Sequence, residues 1–152
     1  MENIQALITN FRRAIDIAKR NGEFDKDCSF SRFSNGCCGD ASDLLGMYLL
    51  KHGVRSSYVC GNRYFDGPEE GTQSHAWLDV NGWIADITGD QFRTQSIYLN
   101  YNIPDYYGPI DDFHRLFDVE ERDVSPFLGF SNYSAFCQRR LYDIYGKIIK
   151  YM

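Results

Sequence analysis

The chain reads as an α+β domain in which helices precede and follow a group of antiparallel strands. Apolar residues recur at helical spacing in the segments 3–20, 37–52 and 132–151. Between the second and third of these, Asn81-Gly82 separates two short apolar-rich runs, the strongest short-range signal for a β-hairpin. Strands and helices do not alternate as in a nucleotide-binding βαβ fold, and Gly36 and Gly39 lack the rest of a phosphate loop. With 152 residues, no internal repeat and no linker, residues 1–152 form a single domain.

The first helix places Ile4, Leu7, Ile8, Phe11, Ile15 and Ala18 on one side, and Lys19, Arg20 and Gly22 mark its end. Residues 24–36 are polar and irregular. The second helix, about 37–52, carries Ala41, Leu44, Leu45, Tyr48 and Leu49 as a core-facing stripe. Asp40 and Asp43 lie in its first turns, Lys51 and His52 in its last, and Gly53 follows as the stop, which complements the helix dipole at both ends. Residues 54–61 read as a strand, 66–72 as a loop, and 74–80 and 83–88 as the two arms of the hairpin. The segment 97–112, with Tyr98, Tyr101, Tyr106 and Tyr107, reads as a long aromatic surface loop that covers a core edge or forms a lip for substrate. The terminal helix sets Tyr133, Phe136, Cys137, Leu141, Ile144, Tyr145 and Ile148 on one side.

Composition excludes several classes. A net charge of −5 and a pI near 5.1 leave no basic nucleic-acid footprint. No apolar run approaches the roughly 20 residues that a membrane span needs, and the N-terminus lacks the pattern of an ordinary secretion signal. The five cysteines, Cys28, Cys37, Cys38, Cys60 and Cys137, are odd in number and form no C-x-x-C pair, which disfavours a disulfide framework and a structural zinc site. A cytoplasmic site follows, with signal-less export left open.

The chemistry concentrates in a cysteine at the start of the second helix and in His75 and Asp86 on the hairpin. A two-residue turn pairs residues whose numbers sum to 163, so Trp77 lies opposite Asp86 and His75 opposite Thr88. His75, Trp77, Asp86 and Thr88 then share one face, and His75 and Asp86 are diagonal neighbours within side-chain reach. In this reading the carboxylate accepts the imidazole Nδ1–H and leaves Nε2 for a thiol. A thiol in a first helical turn has its pKa lowered by the helix dipole, and the free N–H groups there can bind an oxyanion. Cys, His and Asp are the residues needed to attack an amide or ester through sulfur. Taken singly, each has a plainer role: a buried small hydrophobe, which is the reading for Cys28, Cys60 and Cys137, or a structural strand histidine. His52 and His114 read as structural. Adjacent helix residues point about 100° apart, so only one of Cys37 and Cys38 can face His75, and periodicity alone does not choose.

The flanking residues resemble the transglutaminase-like superfamily. Cys38-Gly39-Asp40-Ala41-Ser42-Asp43-Leu44-Leu45, continuing to Gly53, is similar to its nucleophile helix, Cys-x-Asp-x-Ala-x-Leu-Leu, with Ala41-Ser42 in place of the usual apolar-Ala pair. His75-Ala76-Trp77-Leu78-Asp79-Val80 resembles its His-Ala-Trp-x-Glu-Val. Trp83-Ile84-Ala85-Asp86-Ile87-Thr88 resembles its Trp-x-x-x-Asp-Pro-Thr, with Asp86 only three residues after Trp83 and Ile87 in place of Pro. The likeness covers about residues 37–91. It implies a papain-like core with the nucleophile helix packed on an antiparallel sheet, Cys38 as nucleophile, His75 as base and Asp86 as the group orienting it.

The function so implied is cysteine-dependent acyl transfer on an amide through a thioester: a peptidase, amidase or glutaminyl deamidase. The alternatives are a transferase using an amine acceptor and a catalytically silent protein-binding module of the same fold. Trp77 and Gln91 are the candidate substrate-binding residues: Trp77 covers the imidazole or borders the substrate, with plain hairpin packing as its alternative, and Gln91 is an uncommitted amide donor for an oxyanion, with a solvent-exposed position as the plainer reading. No cofactor and no metal are expected, although Cys37, Cys38 and His75 form a weaker metal alternative. The expected partner is a protein or peptide substrate, with no nucleic acid and no membrane, and the chain is expected to be a monomer.

Overall fold

The computed structural model describes residues 3–65 and 71–152. Its regular elements are α1 (Ile4–Arg20), α2 (Cys38–Lys51), β1 (Ser57–Phe65), β2 (Gly71–Val80), β3 (Trp83–Asp86), β4 (Tyr106–Gly108), β5 (Val124–Pro126) and α3 (Ala135–Ile149). The strands form one antiparallel sheet in the order β4-β3-β2-β1-β5. The architecture is therefore α+β, as the order of sequence patterns implies. No helix of the described residues is long and apolar enough to cross a membrane.

α1 begins where the Asn3 side chain accepts the Ala6 N–H at 3.2 Å, an N-cap that satisfies one orphan donor. Its stripe of Leu7, Ile8, Phe11, Ala14, Ile15 and Ala18 is buried. α2 ends at Gly53, whose φ of +76° is the left-handed geometry of a helix stop. The stripe Ala41, Leu44, Leu45, Tyr48 and Leu49 is buried, but so are Ser42, Asp43, Gly46 and Met47. α2 contacts β1 and β2 on one side and α1 and α3 on the others, so its middle, residues 41–49, is buried all round.

The hairpin forms in the expected register. Asn81 and Gly82 take φ values of +55° and +84°, both left-handed, as the favoured two-residue turn demands. Leu78, Asp79 and Val80 pair with Ala85, Ile84 and Trp83. Alternation along β2 then divides the core in two. Ala76, Leu78 and Val80 face the helices, Leu78 and Val80 within the main apolar cluster. Val59 and Trp77 turn to the opposite face, which is closed by Phe92, Tyr98, Phe113 and Phe117.

Several expectations require correction. β1 starts at Ser57 rather than at 54 and runs to Phe65, because its ladder with β2 continues to Phe65–Gly71. Gly71 and Thr72 accordingly belong to β2 and not to a loop, while residues 66–70 lie outside the described residues. The segment 97–112 is largely exposed, as expected, but it is not all loop. It contributes β4 to the sheet edge and buries Tyr98 against Phe92 and Phe117, since its ring-rich sequence supplies the layer that dries the second face. In α3 only Leu141, Ile144, Tyr145 and Ile148 are buried, and Phe136 and Cys137 in its first turn are exposed. Cys28 is exposed as well, so neither Cys28 nor Cys137 is a buried hydrophobe. All five cysteines are free thiols.

One close approach locks the second core. Gly61 pairs with His75 across the sheet, and a Cβ there would fall 2.7 Å from both the Phe117 Cβ and a Trp77 ring carbon. Gly61→Ala should therefore cost about 1–3 kcal/mol by over-packing, read by calorimetry as a fall of about 3–10 °C in the thermal midpoint. An unchanged midpoint would show that the aromatic layer is loose.

Candidate functional site

Cys38 occupies the first position of α2, and Cys37 is the N-cap residue, whose side chain makes no capping hydrogen bond. The first-turn N–H groups of this helix thus lack the usual side-chain acceptor. The Cys38 thiol is influenced by two adjacent residues of β2, the His75 side chain and the Ala76 backbone N–H, both of which lower its pKa. Cys37 points instead into the main core, where burial pushes its thiol up to about 12. The two neighbours thus diverge as the helical rotation requires.

His75 is fully buried, and its Nε2 lies 2.7 Å from Asp86 Oδ2. The ring is turned the other way from the sequence reading: Nε2, not Nδ1, meets the carboxylate. Nδ1 is left on the edge shared with Gln91, whose Nε2 is 3.4 Å away. The reason is the hairpin itself. Its ladder stops at Leu78–Ala85, and Asp86 pairs with Tyr106 of β4, so the carboxylate reaches the far end of the imidazole.

His114 is the residue that sequence reasoning missed. It is fully buried, and its Nε2 lies 2.8 Å from the same Asp86 Oδ2. Its Nδ1 is 2.6 Å from Asp111 Oδ1, which also accepts the His114 backbone N–H at 2.9 Å. The Tyr101 hydroxyl donates to Asp111 Oδ2 at 3.0 Å. A continuous hydrogen-bonded line therefore runs Tyr101–Asp111–His114–Asp86–His75, and the His75 end acts on Cys38. The only local signal was the spacing Asp111-x-x-His114, which permits an Asp to bond a histidine one turn on. Nothing in that spacing points to residue 86.

The charges follow from this line. Burial alone would raise the Asp86 carboxyl, but the two imidazoles and their hydrogen bonds hold it far below the ordinary carboxylate range. Burial would depress His75, yet the charge and hydrogen bond of Asp86 and the Cys38 thiolate raise it to about 9. His114 is likewise raised against burial by hydrogen bonds to Asp111 and Asp86, and Asp111 is lowered. Burial pushes the Cys38 thiol up, but the hydrogen bond and positive charge of His75, with the Ala76 N–H, hold it below its ordinary value. The arrangement favours a thiolate–imidazolium pair.

The second carboxylate oxygen of Asp86 accepts the Thr88 N–H at 2.9 Å. Trp77 is buried and packs edge-on against His114 at 5.0 Å and beside His75 at 5.7 Å, so it covers both rings from inside the core. Gln91 is half-buried, its amide donating to Thr88 O at 3.1 Å while its Oε1 lies 3.5 Å from the Gly36 N–H. It therefore links the segment before α2 to the histidine edge. Among the described residues the ligand-spaced group is His75, Asp86 and His114, with ligand atoms within 4.8 Å of one another, and it includes neither Cys37 nor Cys38. Its contacts have hydrogen-bond lengths, and a metal ion would have to replace the two protons shared with Asp86. A cavity of about 570 Å³ lies at the other end of α2 beside Leu50 and Arg55, remote from Cys38.

No family model, curated protein or solved structure matches this chain.

Asp86→Asn should separate the electrostatic role from the steric one. It removes the charge that holds His75 protonated, so the His75 pKa falls and the Cys38 pKa rises. Wild-type Cys38 should react with iodoacetamide at mildly acidic pH, and the Asn variant should react about tenfold more slowly there for each unit gained by the thiol. Peptide mapping of the adduct reports the rate. Stability carries the same signs. The contribution of Asp86 is present above the ordinary carboxylate range and is lost only as pH falls through its depressed pKa. That of His75 is complete below the ordinary imidazole value near 6.5 and is lost as pH rises through about 9.

Proposed function

We propose that this protein is a cysteine-dependent acyl-transfer enzyme that hydrolyses an amide of a peptide or protein, with a papain-like, transglutaminase-like core. The observation that carries the reading is His75, fixed through Nε2 on the buried Asp86 carboxylate at 2.7 Å and acting on the Cys38 thiol so as to lower its pKa. A buried thiol is ordinarily driven toward its neutral form, so an arrangement that lowers its pKa in spite of burial favours a nucleophile. The resemblance of residues 37–91 to the superfamily motifs points the same way.

The Cys38 thiolate attacks the carbonyl carbon, and the C=O electrons move to oxygen. The oxyanion is received by N–H groups of the first turn of α2, which no capping side chain occupies, and by the Gln91 amide. Collapse breaks the C–N bond, and the His75 imidazolium gives its proton to the departing amine. The product is a thioester on Cys38 and a neutral His75. Water then attacks the thioester while His75 takes its proton, the C–S bond breaks, and the carboxylic acid and thiolate–imidazolium pair are restored. Asp86 stays ionised throughout, and His114 holds Asp86 in place. Water is the acceptor in this proposal because it is always present and the chain offers no recognisable site for an amine.

Mass spectrometry of peptide mixtures treated with the protein identifies the reaction, since cleavage, loss of ammonia and cross-linking each leave a different mass. Cys38→Ala should abolish the product and Cys37→Ala should retain it. The reverse result would move the nucleophile by one residue. Gln91→Ala should lower kcat by tenfold or more, on the order of the loss of one oxyanion donor, with little change in KM.

A further inference from the structure

A second cavity, of about 540 Å³, opens beside the candidate active site. Arg12, Lys19, Arg20 and Arg93 line it together with Asp16 and Asp90, four cations against two carboxylates in a chain whose net charge is −5. Arg12 consumes both carboxylates: it bonds Asp90 through both terminal nitrogens at 2.8 and 2.9 Å and Asp16 through Nε at 3.0 Å. Lys19 donates to the Phe33 carbonyl and Arg93 to the Asp90 carbonyl, both neutral acceptors. The described residues give Arg20 and Arg93 no carboxylate partner. The cavity therefore presents exposed, uncompensated positive charge above an anchored Arg12–Asp90 floor.

Its walls run directly into the site. Asn35 on one wall precedes Gly36, and Asp90 on the other precedes Gln91; the Gly36 N–H and the Gln91 Oε1 face each other at 3.5 Å. Gln91 in turn lies against His75. A chain whose carbonyl reached Cys38 and which continued past Gln91 and Asn35 would enter the cavity that Arg20 and Arg93 line. The chain's overall negative charge and the two fixed carboxylates argue against a nucleic acid, which needs an extended basic track.

We propose that this cavity is a substrate subsite that binds acidic residues of a peptide flanking the amide to be cleaved. The inference rests on Cys38 being the nucleophile for its placement, but binding can be measured without turnover. Dansyl-capped, amide-ended pentapeptides carrying two Glu, two Gln or two Lys would be titrated into Cys38→Ala protein, with Cys38→Ser as a second background. At low salt the Glu peptide should bind about three- to tenfold more tightly than the Gln peptide, and the Lys peptide most weakly. That order should vanish in an Arg20→Ser/Arg93→Ser double variant and in about 0.5 M salt. Equal affinities for the Glu and Gln peptides, or an order that survives the double variant, would overturn the proposal. Full displacement of the Glu peptide by millimolar inorganic phosphate would also overturn it, by showing a general anion site. Iodoacetamide labelling of the wild type separates the two ideas. Selective labelling of Cys38 with charge-blind binding removes the subsite alone, whereas charge-ordered binding without selective labelling removes the nucleophile and keeps the cavity.

Discussion

A carboxylate taken out of water must be held by donors, because an unpaired buried ion costs several kcal/mol. Asp86 is almost fully buried, and it is held by His75 and His114 on one oxygen and by the Thr88 N–H on the other. Each donor comes from a different part of the chain: a central strand, the turn after the hairpin, and a short helical turn near residue 114. Asp86 is therefore the common point that ties β3 to His75 of β2 and to His114 of the segment folded back over the sheet. Remove the charge and three elements lose their common point.

The aromatic layer makes this arrangement possible. Phe92, Phe113 and Phe117 surround His75 with ring centroids 5.2–5.8 Å away, and Trp77 and Tyr106 enclose His114. Excluding water raises the effective strength of every charge–charge contact inside. The same exclusion would penalise any polar group without a partner. Asp111 and Tyr101 complete the pairing of His114, so the line of hydrogen bonds ends toward the surface and not in the core. The site is rigid where proton positions matter, and Cys38 and Gln91 lie at its less buried margin.

Local signals were legible and long-range ones were not. The amphipathic helices, the Asn81-Gly82 turn and the hairpin register could be read because each depends on residues close in sequence. The shared face of His75 and Asp86 followed from that register. The nitrogen that meets Asp86 could not be read, because it depends on where the hairpin ladder stops and on the pairing of Asp86 with Tyr106 of β4, which no periodic pattern marks. His114 stayed hidden for the same reason: it lies 28 residues from Asp86 in a stretch without period-2 or period-3.6 order. Which rings of the Tyr-rich segment turn inward could not be read, because rings that cover a core edge need no alternation. The stripe on α2 was found, but its burial on every side depends on α3, which packs from the far end of the chain.

The central claim is that His75, braced by Asp86, keeps Cys38 ionised in the resting protein. The ultraviolet absorbance of thiolate, followed through a pH titration of the wild type and of Cys38→Ser, measures that ionisation directly. The account requires a difference curve with one thiolate forming well below the ordinary cysteine value near 8.5 and its signal persisting through neutral pH. A difference curve that rises only at or above that ordinary value would contradict it.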